Sequence, residues 1–238
     1  MVTAVRLSER IDTVNDEFTE RVKGWLLQRL PDLPTEVLDW LVKEHYQFSS
    51  TNVELLGLAR DATAGLTDQG ARIELERNIG EESGHAVMYR KAMGEVGTDV
   101  DEHTEFEPTT VFFDKIRRLS TENPSCSLGT FYATETAAIF EHQVFDEISR
   151  EICQRRGLSY QGSRIKKFHD IHLDEGVEQG HKDGLAAFVD VAVPDAGAGD
   201  LDSAEVERGA YAAIEAMVVW WDALLAEVVR RSAEPAAR

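Results

Sequence analysis

The chain has 238 residues, of which 42% are hydrophobic, enough for one sizeable packed domain without a disorder-dominated reading. A formal charge of -19 and a pI near 4.7 argue against a nucleic-acid partner, whose non-specific affinity comes from clustered Lys and Arg. The two cysteines, Cys126 and Cys153, lack CxxC spacing, so a disulfide framework is not expected and a reducing, cytoplasmic compartment is.

The N-terminal stretch lacks the apolar core of a signal peptide, and no segment approaches the ~20 apolar residues that span a bilayer, so no membrane partner is expected. Strand signals are scarce, and apolar residues recur at three- and four-residue steps. The pattern predicts a first helix from about Arg6 through Leu27, ending near Pro31 and Pro34. Thr35-Glu36 opens a second helix carrying Leu38, Trp40, Leu41 and Tyr46, with a break or kink expected at Ser49–Asn52 before the pattern resumes to Ala62. Thr67–Gly70 reads as a turn, Ala71–Gly97 as a helix, and the polar run Thr98–Pro108 as a loop. Further helices are expected over about Thr109–Leu119, Ser127–Arg156, Ser163–Val193 and Ser203–Arg231. The last carries an apolar stripe of Met217, Val218, Trp221, Leu224 and Leu225. No repeat or boundary interrupts the chain, so one all-α domain over residues 1–238, with a short flexible tail at about 232–238, is the economical reading.

Three of these helices carry acidic residues and histidines within helical reach of one another. Glu81 and Glu82 stand four and three residues before His85, so either can share a face with it. Glu135 sits among Phe131, Tyr132, Ala138, Ile139 and Phe140, where a bare carboxylate is costly unless something pairs with it. His142 returns to the same face seven residues later, and Glu141 is expected to face solvent. On an ideal helix Asp174, Glu178 and His181 form one stripe that Lys167 and Ile171 extend backward, while Glu175 and His172 lie off it. Gly176 and Gly180 weaken that helix, and local unwinding would return His172 to the common centre. A divalent metal pair would compensate these charges, and carboxylates with imidazoles suit iron or manganese.

The segments NIGEESG at 78–84, FYATET at 131–136, and a late helix with Phe168-x-x-x-His172 followed by Glu178-x-x-His181 resemble the haem-oxygenase-like di-iron oxidases over most of the chain. The resemblance implies a helical bundle of about seven or more helices holding two iron ions, with O2 as co-substrate. It assigns Glu82 (or Glu81), Glu135, Glu178 and His181 as ligands, and catalysis is expected to depend most on Glu82, Glu135 and His181. Two positions depart from the family pattern. Tyr89 and Met88 stand seven residues beyond Glu82 and Glu81 where a histidine is usual, leaving His85 as the substitute; Asp174 stands where the first histidine of the third helix is usual. Either Asp174 or His172 then completes the set, with Glu81 and His142 as alternates.

The resemblance further implies oxidation of a small metabolite, with a free aliphatic amino acid favoured. The expected reaction is C–H cleavage giving desaturation or ring closure to an azetidine in natural-product biosynthesis, as in single-domain relatives, with an external electron donor where one is needed. Lys167 on the metal stripe is the candidate partner for a substrate carboxylate, with Arg77 and Arg90 near the first cluster, and Tyr89 is a candidate cavity residue. A homodimer is the prior for oligomeric state. Two other readings remain open from the sequence. One is a ferritin-like iron bundle, with Glu82-x-x-His85, Glu178-x-x-His181, Glu135 and Glu44 as the fourth carboxylate. The other is a metal-free thiaminase-like or cofactor-ring-oxidising enzyme of similar fold.

Overall fold

The computed structural model describes residues 5–174 and 176–234. Among these, nine helices follow one another: α1 (Leu7–Arg29), α2 (Thr35–Ala62), α3 (Gly70–Glu82), α4 (His85–Glu95), α5 (Glu107–Glu122), α6 (Pro124–Arg155), α7 (Arg164–Leu173), α8 (Val177–Val189) and α9 (Ser203–Ala233). The described residues contain no strand, only an isolated bridge between Val193 and Asp202. The all-α expectation holds, and no helix among them is long and apolar enough to cross a membrane. Of the expected flexible tail, Ser232 and Ala233 belong to α9, and residues 235–238 lie outside the described ones.

Helix α6 is the axis of the bundle, packing against α1, α2, α5, α7, α8 and α9. It is buried on nearly every face, its polar residues included. Asn123 caps its start, the side chain accepting the Cys126 N–H, and Pro124 occupies the first turn, where its missing donor costs nothing. The closest pairing is with α9, where glycines face each other's backbones: a Cβ on Gly129 would overlap the Val206 carbonyl, and one on Gly209 the Cys126 carbonyl. The apolar stripe of α9 is consumed within the chain, with Trp220 and Trp221 buried and Trp220 stacked on Phe112 at 4.7 Å between ring centroids.

Three sequence expectations are corrected. Helix α2 runs unbroken through Ser49–Asn52, because its polar residues are accommodated on the helix: the Ser50 hydroxyl donates to the Gln47 carbonyl, and Asn52 is buried. The helix expected over 71–97 divides into α3 and α4 at Ser83-Gly84, where Gly84 takes φ 102°. The helix expected over 163–193 divides into α7 and α8, with Gly176 at φ 75°. These are left-handed conformations that a side chain with a Cβ resists. Each break sits beside a cluster of acidic residues and histidines.

Candidate metal centre

The two breaks set the geometry of the interior. Because α3 stops at Glu82 and α4 begins at His85, the two side chains converge, with His85 Nδ1 at 3.1 Å from Glu82 Oε2. Because α7 stops at Leu173, its inward stripe is Ile165, Phe168, His169 and His172, and α8 starts afresh with Glu178 and His181 facing in. Central α6 contributes Glu135 and His142, two turns apart on one face.

The side chains close into one buried cage. His172 Nε2 lies 3.1 Å from His85 Nδ1, and the His172 ring stacks on His142 at 3.9 Å between centroids. Glu178 lies 3.4 Å from His142 Nε2 through one oxygen and 3.8 Å from His181 Nδ1 through the other. His181 is held between two carboxylates, its Nδ1 3.0 Å from Glu135 and its Nε2 3.0 Å from Glu81. Three groups each place one ligand atom per residue within 4.8 Å of one another: Glu82, His85 and His172; His142, His172 and Glu178; and Glu82, Glu178 and His181. Glu82, Glu178 and His172 each belong to two groups, and of these the two carboxylates have the second oxygen that sharing between two neighbouring cations would need.

Two observations fit a metal. The second oxygen of Glu82 is buried without a hydrogen-bond partner among the described residues, a costly state for an acceptor that a cation would relieve. The His172 Nδ1–H donates to the Phe168 carbonyl at 2.7 Å, which leaves Nε2 with its lone pair turned into the cage. Metal-ligating histidines are commonly oriented by such an outer hydrogen bond. Burial, helped by the neighbouring His142, pushes His172 down to about 2, so its imidazole is neutral and able to ligate.

Burial and hydrogen bonding shift three of these groups. Burial raises Glu135 against the opposing pull of its hydrogen bond with His181. Burial would lower His181, but the hydrogen bonds to Glu135 and Glu178 overcome it and raise the imidazolium to about 11. Burial likewise opposes ionisation of Glu178, yet its contacts with His142 and His181 hold it below the usual carboxylate range. Of the imidazoles, His181 is the one that would have to lose a proton before it could ligate a cation.

Of the residues picked out by sequence, Glu82, His85, Glu135, His142, His172, Glu178 and His181 come together, and Glu81 reaches in from the rim with its side chain 40% exposed. Asp174 does not. Its side chain is 76% exposed at the end of α7, 3.9 Å from Lys166 Nζ, because the Gly176 turn breaks the continuous stripe that placed it with Glu178. The same loss of phase removes Lys167, which is exposed and lines an open surface groove with Met88, Lys166 and Asp170. The side chain of Glu175 lies outside the described residues. Arg77 pairs with Glu74 and Glu81, and Arg90 with Asp101.

Tyr89 is fully buried against Phe168, which in turn packs on His172, and its hydroxyl has no partner among the described residues. Glu141, expected at the surface, is buried and accepts the Trp221 indole N–H at 3.1 Å, because α6 has almost no solvent face. Burial pushes it up to about 8. Glu44 is engaged elsewhere, 2.9 Å from His103 and 2.7 Å from the Thr109 hydroxyl.

Two buried histidines behind the cage escaped the sequence reading. His45 stacks on Phe145 at 3.9 Å, and His169 pairs with the Ser149 hydroxyl at 3.2 Å. His45 falls at helical spacing from Leu38 and Leu41, the one signal that could have found it.

No protein-family profile matches the chain, and no curated protein is significantly similar to it in sequence. Solved structures are similar in shape. A CADD-like protein of unknown function from Nostoc punctiforme superposes with a TM-score of 0.71 at 21% identity, over 92% of this chain and 99% of that one. A domain of unknown function from Shewanella denitrificans, described as having a heme oxygenase-like fold, gives 0.69 at 16% identity over 98% and 96%. The fold is haem-oxygenase-like. A TenA homolog from Pseudomonas syringae shares it, with a TM-score of 0.65 at 13% identity over 92% of each chain. On this haem-oxygenase-like frame the breaks after α3 and α7 turn seven acidic and imidazole side chains onto one interior point.

Proposed function

We propose that the chain holds two iron ions in this cage and is an O2-dependent oxidase of a small metabolite, with a free aliphatic amino acid as the favoured substrate. The observation that carries the reading is the sharing of Glu82 and Glu178 between ligand groups, which fits a pair of cations better than one. The proposed ligands are Glu82, His85, Glu135, His142, His172, Glu178 and His181, with Glu81 at the rim. Bound ferrous iron supplies the electrons for dioxygen reduction. The chain's own part is to position and to exclude water: His172 is fixed in the ligating tautomer by Phe168, and the apolar bodies of Phe168 and Tyr89 close the cage on the α7 side. His181, held between Glu135 and Glu178, would release its proton in order to ligate a cation.

A metal-free enzyme on the same fold has one observation in its favour, the placement of both His181 ring nitrogens 3.0 Å from a carboxylate oxygen, Glu135 on one side and Glu81 on the other. The ferritin-like arrangement loses its fourth carboxylate, since Glu44 is bound to His103 and Thr109. Anaerobic ferrous loading followed by iron quantification separates the readings. Two irons per chain, then oxygen consumption triggered by one member of an amino- and fatty-acid panel, is the expected result. Absence of stoichiometric iron returns the metal-free enzyme, and iron oxidation that no substrate accelerates returns storage.

A further inference from the structure

The buried residues of α3 form a single stripe: Ala71, Leu75, Asn78 and Glu82. Asn78 and Glu82 are one turn apart, which puts their Cβ atoms about 5–6 Å from one another on the same face. Asn78 is fully buried, and neither its Oδ1 nor its Nδ2 finds a hydrogen-bond partner among the described residues. Beside it the Oε1 of Glu82 is equally unpartnered. Each such group is left without the hydrogen bonds that water would give it, which disfavours the folded state. An apolar residue of the same shape would avoid that cost, so the carboxamide is hard to explain by the stability of the fold.

We propose that Asn78 is a specificity-determining residue that binds the head group of the substrate beside the Glu82 side of the cage. This rests on the two-iron reading and names what selects its substrate. A carboxamide offers donors at Nδ2 and an acceptor at Oδ1 while carrying no charge. An amino-acid zwitterion presents the complement, a carboxylate that accepts from Nδ2 and an ammonium that donates to Oδ1. A neutral partner suits a zwitterion in a dry interior, where a lone lysine or arginine would add an uncompensated charge. The basic residues singled out by sequence are engaged or distant: Arg77 binds Glu74 and Glu81, Arg90 binds Asp101, and Lys167 faces solvent.

The test is Asn78→Leu in the full chain, loaded anaerobically with ferrous iron and titrated calorimetrically with L-valine, L-leucine, L-isoleucine and L-norleucine. The expected result is a tenfold or greater loss of affinity for the best of the four, with iron content unchanged and the ligand-free protein melting at a higher temperature than wild type. A purely structural amide, satisfied by an internal water, moves the melting temperature the other way and leaves binding intact. Unchanged affinity, a variant that does not fold, or loss of iron together with binding each overturns the assignment, as does failure of the wild-type protein to bind any of the four. Iron content on the same preparations separates the failures. Wild-type protein without iron defeats the two-iron reading and this one with it, whereas two irons with unaltered affinity in the variant defeats the role of Asn78 alone.

Discussion

His172 stacks on His142 with ring centroids 3.9 Å apart and planes within 16° of parallel, joining the short helix α7 to the central helix α6. Such a stack needs at least one neutral ring, and burial keeps His172 neutral. Its Nδ1–H is committed to Phe168 and its Nε2 faces His85, so both ring nitrogens have assigned tasks.

This relationship separates the two candidates that the sequence left open for the third helix. His172→Ala is expected to lower iron affinity tenfold or more, because it removes a nitrogen common to two ligand groups. Asp174→Ala is expected to leave both iron content and stability within about 0.5 kcal/mol of wild type, as for an exposed residue without buried partners. Iron titration of the two variants side by side checks the pair, and the reverse order would return Asp174 to the ligand set.

Why the sequence favoured a stripe through Asp174 is instructive. The residue types of the cage were legible because buried carboxylates and histidines in apolar helices are expensive without compensation, and Glu135 between Phe131 and Phe140 is the plainest case. Their phase was not. Periodicity arguments assume an unbroken helix, and Gly176 and Gly84 reset the count at the points where the acidic and imidazole side chains converge. The all-helical class survived because it depends on many residues, whereas the ligand set depends on the conformation of a few. Asn78 and Glu141 were missed for a related reason: a polar residue buried by a neighbouring helix looks in sequence like a polar residue on a surface.

The α6–α9 contact predicts a stability effect remote from the cage. At Gly129 an added methyl would meet the backbone carbonyl of Val206, which belongs to a helix and cannot yield as a flexible side chain would. Gly129→Ala is expected to cost about 2–3 kcal/mol, at the upper end of ordinary overpacking. Denaturant unfolding should show a lower midpoint at unchanged slope. Gly24→Ala, where nothing lies within 4 Å of the new atom, provides the matched control on α1. Equal midpoints for the two variants would mean that α9 does not lie this close to α6.

Glu141 makes the metal-free protein pH-sensitive in a defined direction. Its carboxyl is raised by burial to about 8 in the fold, against roughly 4.3 in an unfolded chain. Between those values the folded state keeps the proton and the unfolded state has released it. The folded state therefore binds more protons, and this group's contribution to stability falls as pH rises from about 4.3 to 8. Below that window both states are protonated, and above it both are ionised, so the contribution is flat on either side. Glu141→Gln stays neutral throughout and still offers Trp221 an acceptor oxygen in place of the one now 3.1 Å from the indole nitrogen. The variant should match wild type near pH 4 and exceed it at pH 7 by on the order of 4 kcal/mol. Urea unfolding of both proteins at several pH values, with a chelator present to keep the cage free of metal, measures the difference directly. A difference that stays constant or shrinks as pH rises would show that Glu141 is ionised in the fold at neutral pH, with a cation beside it in addition to the neutral indole of Trp221.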